Sequence, residues 1–329
     1  MGSDWTVVTG AGGFIGGHLV ADLLRAGEPV RALDIKPLEH WHQLFEDADN
    51  HVADLRRADA CHEAVAGAKH VYNFSADMGG MGFIESNRAL CMLTVVLDAH
   101  LLEAARNHGV ERFFYASSAC VYPTHRQASA DVQPLRESDA YPAMPEDGYG
   151  WEKLFAERLC RHFREDFGLP TRVVRYHNVY GPHGTWRGGR EKAPAAICRK
   201  VAEAELSGSD EIEIWGDGGQ TRSFTYIDDA IYGTRAIMES DIDEPVNVGS
   251  AELVTIDELV GVVEEIAGIK LKRRYDSAAP KGVRGRNSDN TMIRERLGWE
   301  PSTPLRTGLE DTYRWIRDQM TARAPVPFA

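Results

Sequence analysis

The length, composition and charge of the chain exclude several classes of protein. Its 329 residues suggest about two domains at a typical ~150 residues each, enough to bury a full core without disulfide bonds. Hydrophobic residues make up 43% and charged residues 26%, so neither a disordered chain nor a fibrous architecture fits. The formal net charge of -13 repels polyanions, and we therefore expect no nucleic-acid partner.

The cysteines and the apolar runs bear on the compartment. The five cysteines form no Cys-x-x-Cys pair, so we expect neither a disulfide framework nor a metal site. The apolar runs are far shorter than the ~20 residues that span a bilayer, and the amino terminus lacks a basic segment followed by an apolar one. We expect a cytoplasmic protein that has no membrane partner.

Strand and helix patterns alternate through the first half of the chain. The β-rich run Trp5–Thr9 precedes a glycine cluster and apolar residues at helical spacing, which predicts a strand, a tight turn and a helix. The same alternation recurs, with predicted strands at Pro29–Asp34, His70–Phe74, Arg112–Ser117 and Thr171–Tyr176 and predicted helices near Ala58–Ala66, Leu90–Asn107 and Tyr149–Phe167. Strands separated by helices pair in parallel through right-handed crossovers, so we expect an α/β fold with a doubly wound parallel sheet.

The pattern loosens in the second half of the chain. A Gly/Arg-rich stretch at His183–Lys192 precedes a helix through Arg199 and several short segments. Pro304–Gln319 is typical of a final amphipathic helix, and a Pro-rich tail that we expect to be loose follows it.

This change of pattern places the predicted domain boundary. We predict a cofactor-binding domain over residues 1–180, to which part of residues 221–250 returns. Residues 181–329 are predicted to form a smaller, mixed α/β substrate domain.

A glycine cluster lies between the first predicted strand and the first predicted helix. Gly10, Gly13 and Gly16 let the backbone turn sharply and approach a pyrophosphate at the amino terminus of the helix, where Phe14 and Ile15 also lie. The pattern favours dinucleotide binding on a Rossmann-type fold.

Two acidic residues follow the next strands. Asp34 closes the second strand, where a carboxylate accepts hydrogen bonds from both ribose hydroxyls and repels a 2′-phosphate. NAD is therefore favoured over NADP. Asp54 follows another short β-like run and is placed to hold the adenine, although its position equally fits a surface carboxylate.

A tyrosine and a lysine begin a predicted helix. Tyr149 and Lys153 lie four residues apart, which places both side chains on one face of the helix. A tyrosine has a pKa near ~10, so it acts as a base at neutral pH only where a cation stabilises its phenolate. Lys153 is the expected cation.

The glycine spacing Gly10-x-x-Gly13-x-x-Gly16 together with Tyr149-x-x-x-Lys153 resembles the extended short-chain dehydrogenase/reductase family, whose members act on nucleotide sugars. The resemblance implies that Ser118, at the end of the preceding strand, is the catalytic hydroxyl partner of the tyrosine. Such a site would remove a proton from a sugar hydroxyl as hydride leaves for NAD.

Two further residues bear on the fate of the oxidised sugar. Cys120 lies two positions after Ser118, so we expect its side chain to point toward the same cleft. A thiol with a free pKa of ~8.5 exchanges a proton with carbon near neutrality. Lys192 lies on a Gly-rich segment that enters a helix. Taken alone, a small buried thiol and a solvent-facing lysine explain these two residues equally well.

Five longer segments resemble the GDP-mannose 3,5-epimerase family, namely Asp77–Ile84, Ser117–Pro123, Gly184–Ala195, Gln220–Phe224 and Val283–Asn290. The resemblance implies NAD-dependent epimerisation of GDP-mannose, in which Tyr149 takes the proton of the carbon-4 hydroxyl. The resulting ketone acidifies the hydrogens on carbons 3 and 5, and Cys120 and Lys192 would form the acid/base pair. The sequence leaves open whether carbon 5 alone or both carbons are inverted, to give GDP-L-gulose or GDP-L-galactose.

The same resemblance implies a set of substrate-binding residues. They are Gly79, Gly80, Ser118, Cys120, Asn178, Glu191, Lys192, Ala193, Lys200, Gln220, Arg222 and Arg286. Lys200, Arg222 and Arg286 are the first candidates for the diphosphate, because guanidinium groups bind phosphate oxygens well. Familiar members of the family have a longer carboxy-terminal tail over the nucleotide, so the base preference stays open.

The resemblance also implies a homodimer, joined by the helices near Leu90–Asn107 and Tyr149–Phe167. Two other functions remain alternatives at this point. A GDP-4-keto-6-deoxymannose epimerase/reductase shares a cysteine after the serine strand, but it uses NADPH and usually has a histidine where Lys192 stands. A non-catalytic dinucleotide-sensing protein would lack the tyrosine and lysine pair.

Overall fold

A seven-stranded parallel sheet forms the centre of the fold in the computed structural model, which describes residues 4–322. The strands are β1 (Trp5–Thr9), β2 (Val30–Asp34), β3 (Asp49–Val52), β4 (Ala68–Asn73), β5 (Arg112–Ser118), β6 (Thr171–Tyr176), β7 (Val179–Tyr180), β8 (Glu211–Trp215), β9 (Thr221–Ser223), β10 (Thr225–Tyr226), β11 (Val246–Val248), β12 (Leu253–Thr255), β13 (Lys272–Asp276) and β14 (Gly285–Arg286). The helices are α1 (Phe14–Arg25), α2 (Ala58–Val65), α3 (Met81–Ser86), α4 (Arg88–Met92), α5 (Thr94–Asn107), α6 (Tyr149–Phe167), α7 (Ala193–Ser207), α8 (Ile227–Glu239), α9 (Ile256–Ala267), α10 (Thr291–Leu297) and α11 (Leu305–Thr321).

The strand order β11-β6-β5-β4-β1-β2-β3 reverses direction at β1. The chain builds one side of the sheet from β1 through β2 to β3 and then crosses to β4 on the other side. Ligands of open parallel sheets bind beyond the carboxyl ends of the strands at such a switch point. The glycine cluster that follows β1 lies at this point.

Helices cover both faces of the sheet. Helices α1 and α8 pack together on one face, while α2, α5 and α6 pack on the other. Every residue of β6 is buried, as expected for a strand that is covered on both faces. The predicted α/β fold with a doubly wound parallel sheet is confirmed.

One predicted helix is divided in the structure. The pattern over Leu90–Asn107 predicts a single helix, but the chain forms α4 and α5 with an interruption at Leu93. The backbone tightens there, because the amide of Val96 donates to the carbonyl of Leu93, an i to i+3 bond, at 3.1 Å. Hydrophobic periodicity continues through such a turn, so the pattern alone did not mark the break.

The carboxy-terminal part combines small sheets with three mutually packed helices. The sheets are β12-β9-β14, β8 with β13 and β7 with β10, and the helices are α7, α9 and α11. Within this part the chain returns to the large sheet, where β11 pairs with β6. The division into two domains stays a prediction, and the Pro-rich tail lies outside the described residues. In residues 4–322, the longest apolar helical stretches are too short or too charged to cross a membrane.

Candidate active site

The glycine turn after β1 has the close backbone contacts that its sequence predicts. Gly10 has a φ of +70°, and a Cβ added to it would lie 2.7 Å from the backbone of Phe74. A Cβ on Gly16 would lie 2.3 Å from the carbonyl oxygen of Gly10. Neither position accommodates a side chain, so the close packing of this turn against its neighbouring backbone requires glycine.

Polar groups at the end of β2 surround this turn. The carboxylate of Asp34 is buried and accepts a hydrogen bond from the amide of Lys36 at 3.0 Å. The ammonium of Lys36 donates to the carbonyl of Gly12 at 2.6 Å, and burial lowers its pKa. The indole of Trp41 lies against Gly12, where an added Cβ would be 2.6 Å away. Sequence reasoning did not single out Lys36 or Trp41.

Asp54 follows β3, beside the carboxyl end of β2. The neighbouring amide of Ala53 donates to the carbonyl of Asp34 at 2.9 Å. The carboxylate of Asp54 is bound by Arg56, at 2.8 Å from Nε and 2.7 Å from Nη2. It lies where predicted, but its oxygens are engaged by the guanidinium, and its role at an adenine stays a prediction.

These residues fit a dinucleotide. The glycines permit a tight turn at the amino terminus of α1, which has no side-chain cap, and a buried carboxylate ends β2. The described part of the chain holds no group of three or more histidine, cysteine, aspartate or glutamate side chains arranged to bind a metal.

The end of β5 meets the start of α6. The oxygen of Ser118 accepts a hydrogen bond from the amide of Cys120 at 3.2 Å and also pairs with the hydroxyl of Tyr149. A Cβ on Gly150 would lie 2.4 Å from the carbonyl of Cys120, so only glycine permits this approach. The structure therefore brings together the predicted serine, cysteine and tyrosine.

Lys153 is near Tyr149 but does not contact its hydroxyl. Its ammonium lies 5.6 Å from the centre of the Tyr149 ring and donates instead to the hydroxyl of Tyr115 at 3.1 Å. Burial raises the pKa of Tyr149 well above its ordinary value, and its hydrogen bond to Ser118 opposes the rise. The sequence predicted Lys153 as the nearby cation that stabilises the phenolate, and that role stays a prediction.

The thiol of Cys120 lies between opposite charges. Arg286 approaches the sulfur to 3.6 Å and forms a buried ion pair with Glu146. Burial raises the pKa of the Cys120 thiol; the charge of Glu146 adds to this effect and that of Arg286 opposes it. Arg286 also donates to Gln127 at 2.6 Å. The residue predicted to bind a diphosphate is thus engaged with protein groups beside the thiol.

Lys192 belongs to the same group of side chains. Its ammonium is close enough to Cys120 and Arg286 for their charges to act on it, and burial lowers its pKa. The lowered pKa brings Lys192 closer to neutrality, whereas the raised pKa keeps Cys120 protonated, so a candidate base lies beside a candidate acid. The arrangement can therefore exchange protons with a carbon acid.

The loop before α3 closes on the segment before α7. The amide of Gly80 donates to the carbonyl of Arg190 at 3.0 Å, and a Cβ on Gly80 would lie 2.5 Å from the carbonyl of Glu191. Gly79 packs in the same way against the ring of Phe83. Glu191 accepts from the amide of Gly189 at 2.7 Å, and Ala193 begins α7. These predicted substrate residues are held next to Lys192.

Two further predicted residues line the same region. Arg222 is partly buried, and its guanidinium donates to the carbonyls of Thr221 and Lys281. Desolvation lowers its pKa to about 10. The charges of Arg286, Glu146 and Cys120 also act on it. Asn178, with a φ of 45°, donates to the carbonyl of Ser223 at 3.0 Å.

Lys200 and Gln220 meet around Trp215. Lys200 donates to the carbonyl of Glu213 at 2.9 Å and lies 5.8 Å from the centre of the Trp215 ring. Gln220 donates to the carbonyl of Trp215 at 2.7 Å, and its Oε1 atom is buried without a hydrogen-bond partner in the described residues. The Trp215 ring is 45% exposed and faces Gly82. These residues form a separate polar subsite with an open aromatic face.

Sequence reasoning missed several residues of the site. Glu146, Gln127 and Trp215 belong to none of the motifs, although Glu146 lies only three positions before Tyr149. Its proximity to Cys120 comes from a loop contact, in which its amide donates to the carbonyl of Cys120 at 3.1 Å. Only the short spacing to Tyr149 could have suggested it.

The fold and the site define a dinucleotide-dependent enzyme class with a serine, tyrosine and lysine at the carboxyl end of a parallel sheet. The chain belongs to the NAD dependent epimerase/dehydratase family, whose profile matches residues 6–249. It is 49% identical to GDP-mannose 3,5-epimerase 1 of Oryza sativa subsp. japonica, over 95% of this chain and 82% of that relative. The resemblance to the GDP-mannose 3,5-epimerases is thereby confirmed.

Two solved structures share the fold over nearly their whole length. One is UDP-glucose 4-epimerase with UDP-glucose from Thermotoga maritima, which is 26% identical with a TM-score of 0.86 and covers 96% of this chain and 99% of its own. The other is MoeE5 in complex with UDP-glucose and NAD, which is 28% identical with a TM-score of 0.79 and the same coverage.

Proposed function

We propose that this protein epimerises GDP-mannose by transient oxidation at carbon 4 and inversion at carbon 5, together with carbon 3. The observation that carries the proposal is the convergence of Ser118 and Tyr149 with Cys120 and Lys192. The 49% identity to a GDP-mannose 3,5-epimerase over 95% of the chain supports the substrate. A reductase and a non-catalytic sensor are not favoured.

NAD is the proposed cofactor. Gly10, Gly13 and Gly16, with Phe14 and Ile15, would bind its pyrophosphate, while Asp34 would bind a ribose. Bound NAD supplies a reversible hydride acceptor for carbon 4. The NAD bound to MoeE5, a structural neighbour, supports this assignment.

The reaction divides proton transfers between two groups of residues. Tyr149 takes the proton of the carbon-4 hydroxyl, Ser118 orients that hydroxyl, and Lys153 supplies positive charge behind the tyrosine. The ketone at carbon 4 acidifies the neighbouring C–H bonds. Cys120 and Lys192 then remove a proton from one face of the sugar and return one to the other.

Other predicted substrate residues would bind the nucleoside diphosphate part of the substrate. Arg222 would supply a guanidinium group next to the sugar site, and Asn178 lies beside it. Arg286, also predicted for the diphosphate, is held by Gln127, Glu146 and Cys120. Gln220 would bind the nucleoside, on which the exposed Trp215 would stack, and Lys200, which lies beside Trp215, keeps its predicted place at the diphosphate. The buried, unpaired Gln220 Oε1 supports a polar ligand there.

Deuterium exchange tests the proposal. Protein loaded with NAD is incubated with GDP-mannose in deuterated water, and the products are identified by NMR. We expect deuterium at carbons 5 and 3, with GDP-L-galactose and GDP-L-gulose as the products to be distinguished. Cys120→Ser should lose most of the exchange and still oxidise carbon 4. Wild-type protein that exchanges no deuterium would contradict the proposal.

We also propose a homodimer. Five apolar residues are exposed on adjacent helices, namely Met92, Leu93 and Val96 of the α4–α5 segment and Trp151 and Phe155 of α6. A contiguous apolar surface of this kind is typical of an interface.

The five cysteines are free thiols, which supports a reducing compartment such as the cytoplasm.

A further inference from the structure

Two buried carboxyl groups lie behind the proposed active site. Asp98 on α5 and Glu152 on α6 are only 1% and 2% exposed. Both approach the hydroxyl of Tyr115 on β5, which lies 3.3 Å from Asp98 Oδ2 and 3.1 Å from Glu152 Oε1. The ammonium of Lys153 lies 3.1 Å from the same hydroxyl and 3.8 Å from Glu152 Oε1. The proposed reaction uses neither acid.

The hydrogen bonds around the Tyr115 hydroxyl require one additional proton. A hydroxyl has a single proton, so it can donate to only one of two carboxylates while it accepts from the ammonium. If both acids were ionised, the second carboxylate would face the lone pairs of the hydroxyl and the charge of the first carboxylate. A proton on one acid removes both conflicts, because that acid then donates to the hydroxyl oxygen.

The surroundings of the two acids favour the proton on Glu152. Asp98 Oδ1 accepts a hydrogen bond from Asn73 at 2.7 Å, and Asn73 is itself held by Thr9 at 2.9 Å. Glu152 Oε2 is buried without a hydrogen-bond partner in residues 4–322. The free-energy cost of leaving this oxygen unpaired is smaller for a neutral carboxylic acid than for a carboxylate. Burial raises the pKa of Glu152 to about 8, against the opposing charge of Lys153. Burial also raises the pKa of Asp98.

Before cofactor and substrate bind, the other titratable groups near the pair are uncharged at neutral pH. They are the thiols of Cys61 on α2, Cys91 on α4 and Cys160 on α6 and the phenols of Tyr115 and Tyr149. Burial raises the pKa of each of these groups above its ordinary value. The ammonium of Lys153 therefore faces two acids, and only one negative charge is needed to balance it.

We propose that Asp98 and Glu152 share one proton and act as positioning residues that hold Lys153 as a singly balanced ammonium. The role of Lys153 in this statement rests on the proposed function. The pair fixes the place and the charge of the cation behind Tyr149, while Tyr115 joins the three side chains. A neutral cluster of this kind avoids the cost of an unbalanced charge in the protein interior.

Amide substitutions distinguish a shared proton from two independent charges. Glu152→Gln reproduces the neutral acid, and in Asp98→Asn the remaining Glu152 ionises to balance Lys153. Each single variant should therefore lower the rate of carbon-4 oxidation by less than about tenfold. The double variant leaves the ammonium without a counter-charge, so its loss should exceed about a hundredfold, more than the two single effects combined. The pH profile of its carbon-4 oxidation should also differ from that of the wild type, because both acids that balance the ammonium are absent.

A matched control lies on the same helix. Glu157 is buried on α6 and pairs with Arg175 at 2.7 Å without contacting Lys153. Glu157→Gln should lower thermal stability and leave the pH profile of carbon-4 oxidation unchanged. Rates are measured from the nicotinamide absorbance in a single turnover of NAD-loaded protein with GDP-mannose.

Infrared spectroscopy tests the shared proton independently of activity. At neutral pH the wild-type protein should show the C=O band of a buried carboxylic acid, and Glu152→Gln should remove it. The absence of that band in the wild type, or a Glu152→Gln variant as impaired as the double variant, would overturn the inference. If the wild type failed to oxidise GDP-mannose, the proposed function would be wrong, and the infrared band would still decide whether the proton is shared.

Discussion

At the scale of single residues, the charge of Glu146 controls the protonation of Cys120. Its carboxylate faces the thiol and pairs with Arg286, whose guanidinium lies 3.6 Å from the sulfur. Burial raises the pKa of the thiol first, and the charge of Glu146 raises it further. The resting protein thus holds Cys120 as a thiol, which can donate a proton, beside a lysine whose pKa is lowered. This favours Lys192 as the group that first accepts a proton from the sugar.

Glu146→Gln should lower the pKa of Cys120. The substitution removes the negative charge and leaves Arg286 free to stabilise a thiolate, so the thiol ionises at a lower pH. We expect alkylation of Cys120 by iodoacetamide to be about tenfold faster at neutral pH. The rate is followed by mass spectrometry of the Cys120 peptide, with the Cys91 peptide as the internal reference. A slower or unchanged alkylation of Cys120 would contradict the assigned effect of Glu146.

At the scale of elements, the loop before α3 and the segment before α7 determine where Lys192 lies. Gly80→Ala introduces a Cβ only 2.5 Å from the carbonyl of Glu191, so the two segments must separate. A displacement of the acid/base pair by a fraction of an ångström should lower deuterium exchange at least about tenfold. The NAD content of the purified protein, read from its absorbance, should not change, because the glycine turn after β1 is distant in the chain and keeps its own contacts.

Gly82→Ala is the matched control for this prediction. Gly82 lies in α3, and an added Cβ there would meet only the ring of Trp215, at 3.8 Å. This variant should exchange deuterium at nearly the wild-type rate. Equal rates for the two variants would show that the contact between Gly80 and Glu191 does not position Lys192.

A group of histidines joins α1 to the segment after β7. His42 lies 3.2 Å from the hydroxyl of Thr185, and burial lowers its pKa to about 4, with Lys36, His183 and His18 contributing. The pKa of His42 is 6.5 in the unfolded chain and about 4 in the folded protein. Between pH 6.5 and about pH 4, the unfolded chain therefore binds a proton at His42 that the folded protein does not bind. The stability contribution is therefore complete above pH 6.5 and is lost as the pH falls toward 4.

His42→Gln should weaken this pH dependence. Over the interval from pH 6.5 to 4, the wild type should lose about 1–3 kcal/mol more of its free energy of unfolding than the variant. The measurement is urea unfolding at a series of pH values. The exposed His125 supplies a His→Gln control that should keep the wild-type slope. A variant whose stability falls as steeply as that of the wild type would exclude His42 as the titrating group.

The sequence predicted the amino-terminal half of the fold almost completely. The bounds of β1, α6 and β6 agree with the predicted segments, because buried parallel strands and amphipathic helices leave strong local patterns. The return of β11 to the large sheet was predicted only as part of a broad range, and the pairing of β8 with β13 was not predicted. Such pairings depend on partners that are distant in the chain and have no local signal.

Sequence motifs predicted part of the candidate site, but they did not reveal the residues whose role depends on burial. Tyr149 and Cys120 were singled out by their spacing and Ser118 by the family resemblance, and the structure brings the three together. Asp98 and Glu152 are charged residues on helices whose pattern does not reveal that they are buried. Their environment depends on three elements packing together, so only the structure could identify them.

At the scale of the whole molecule, the exposed apolar surface on α5 and α6 predicts the oligomeric state. Phe155 is 55% exposed and Trp151 is 42% exposed one turn away on α6. Burying these side chains against a second copy would stabilise a dimer by the removal of apolar area from water. We therefore expect the wild type to have the mass of a dimer in light scattering coupled to size exclusion.

Phe155→Glu should convert that dimer to a monomer. The new carboxylate would have to be buried without a partner in the interface, and this cost should weaken association by at least about a hundredfold. Leu206→Glu is the matched control, because Leu206 is 48% exposed on α7, away from α5 and α6. The Leu206→Glu protein should remain a dimer. A Phe155→Glu protein with the mass of a dimer would exclude this surface as the interface. A Leu206→Glu protein that became monomeric would instead place the interface on α7.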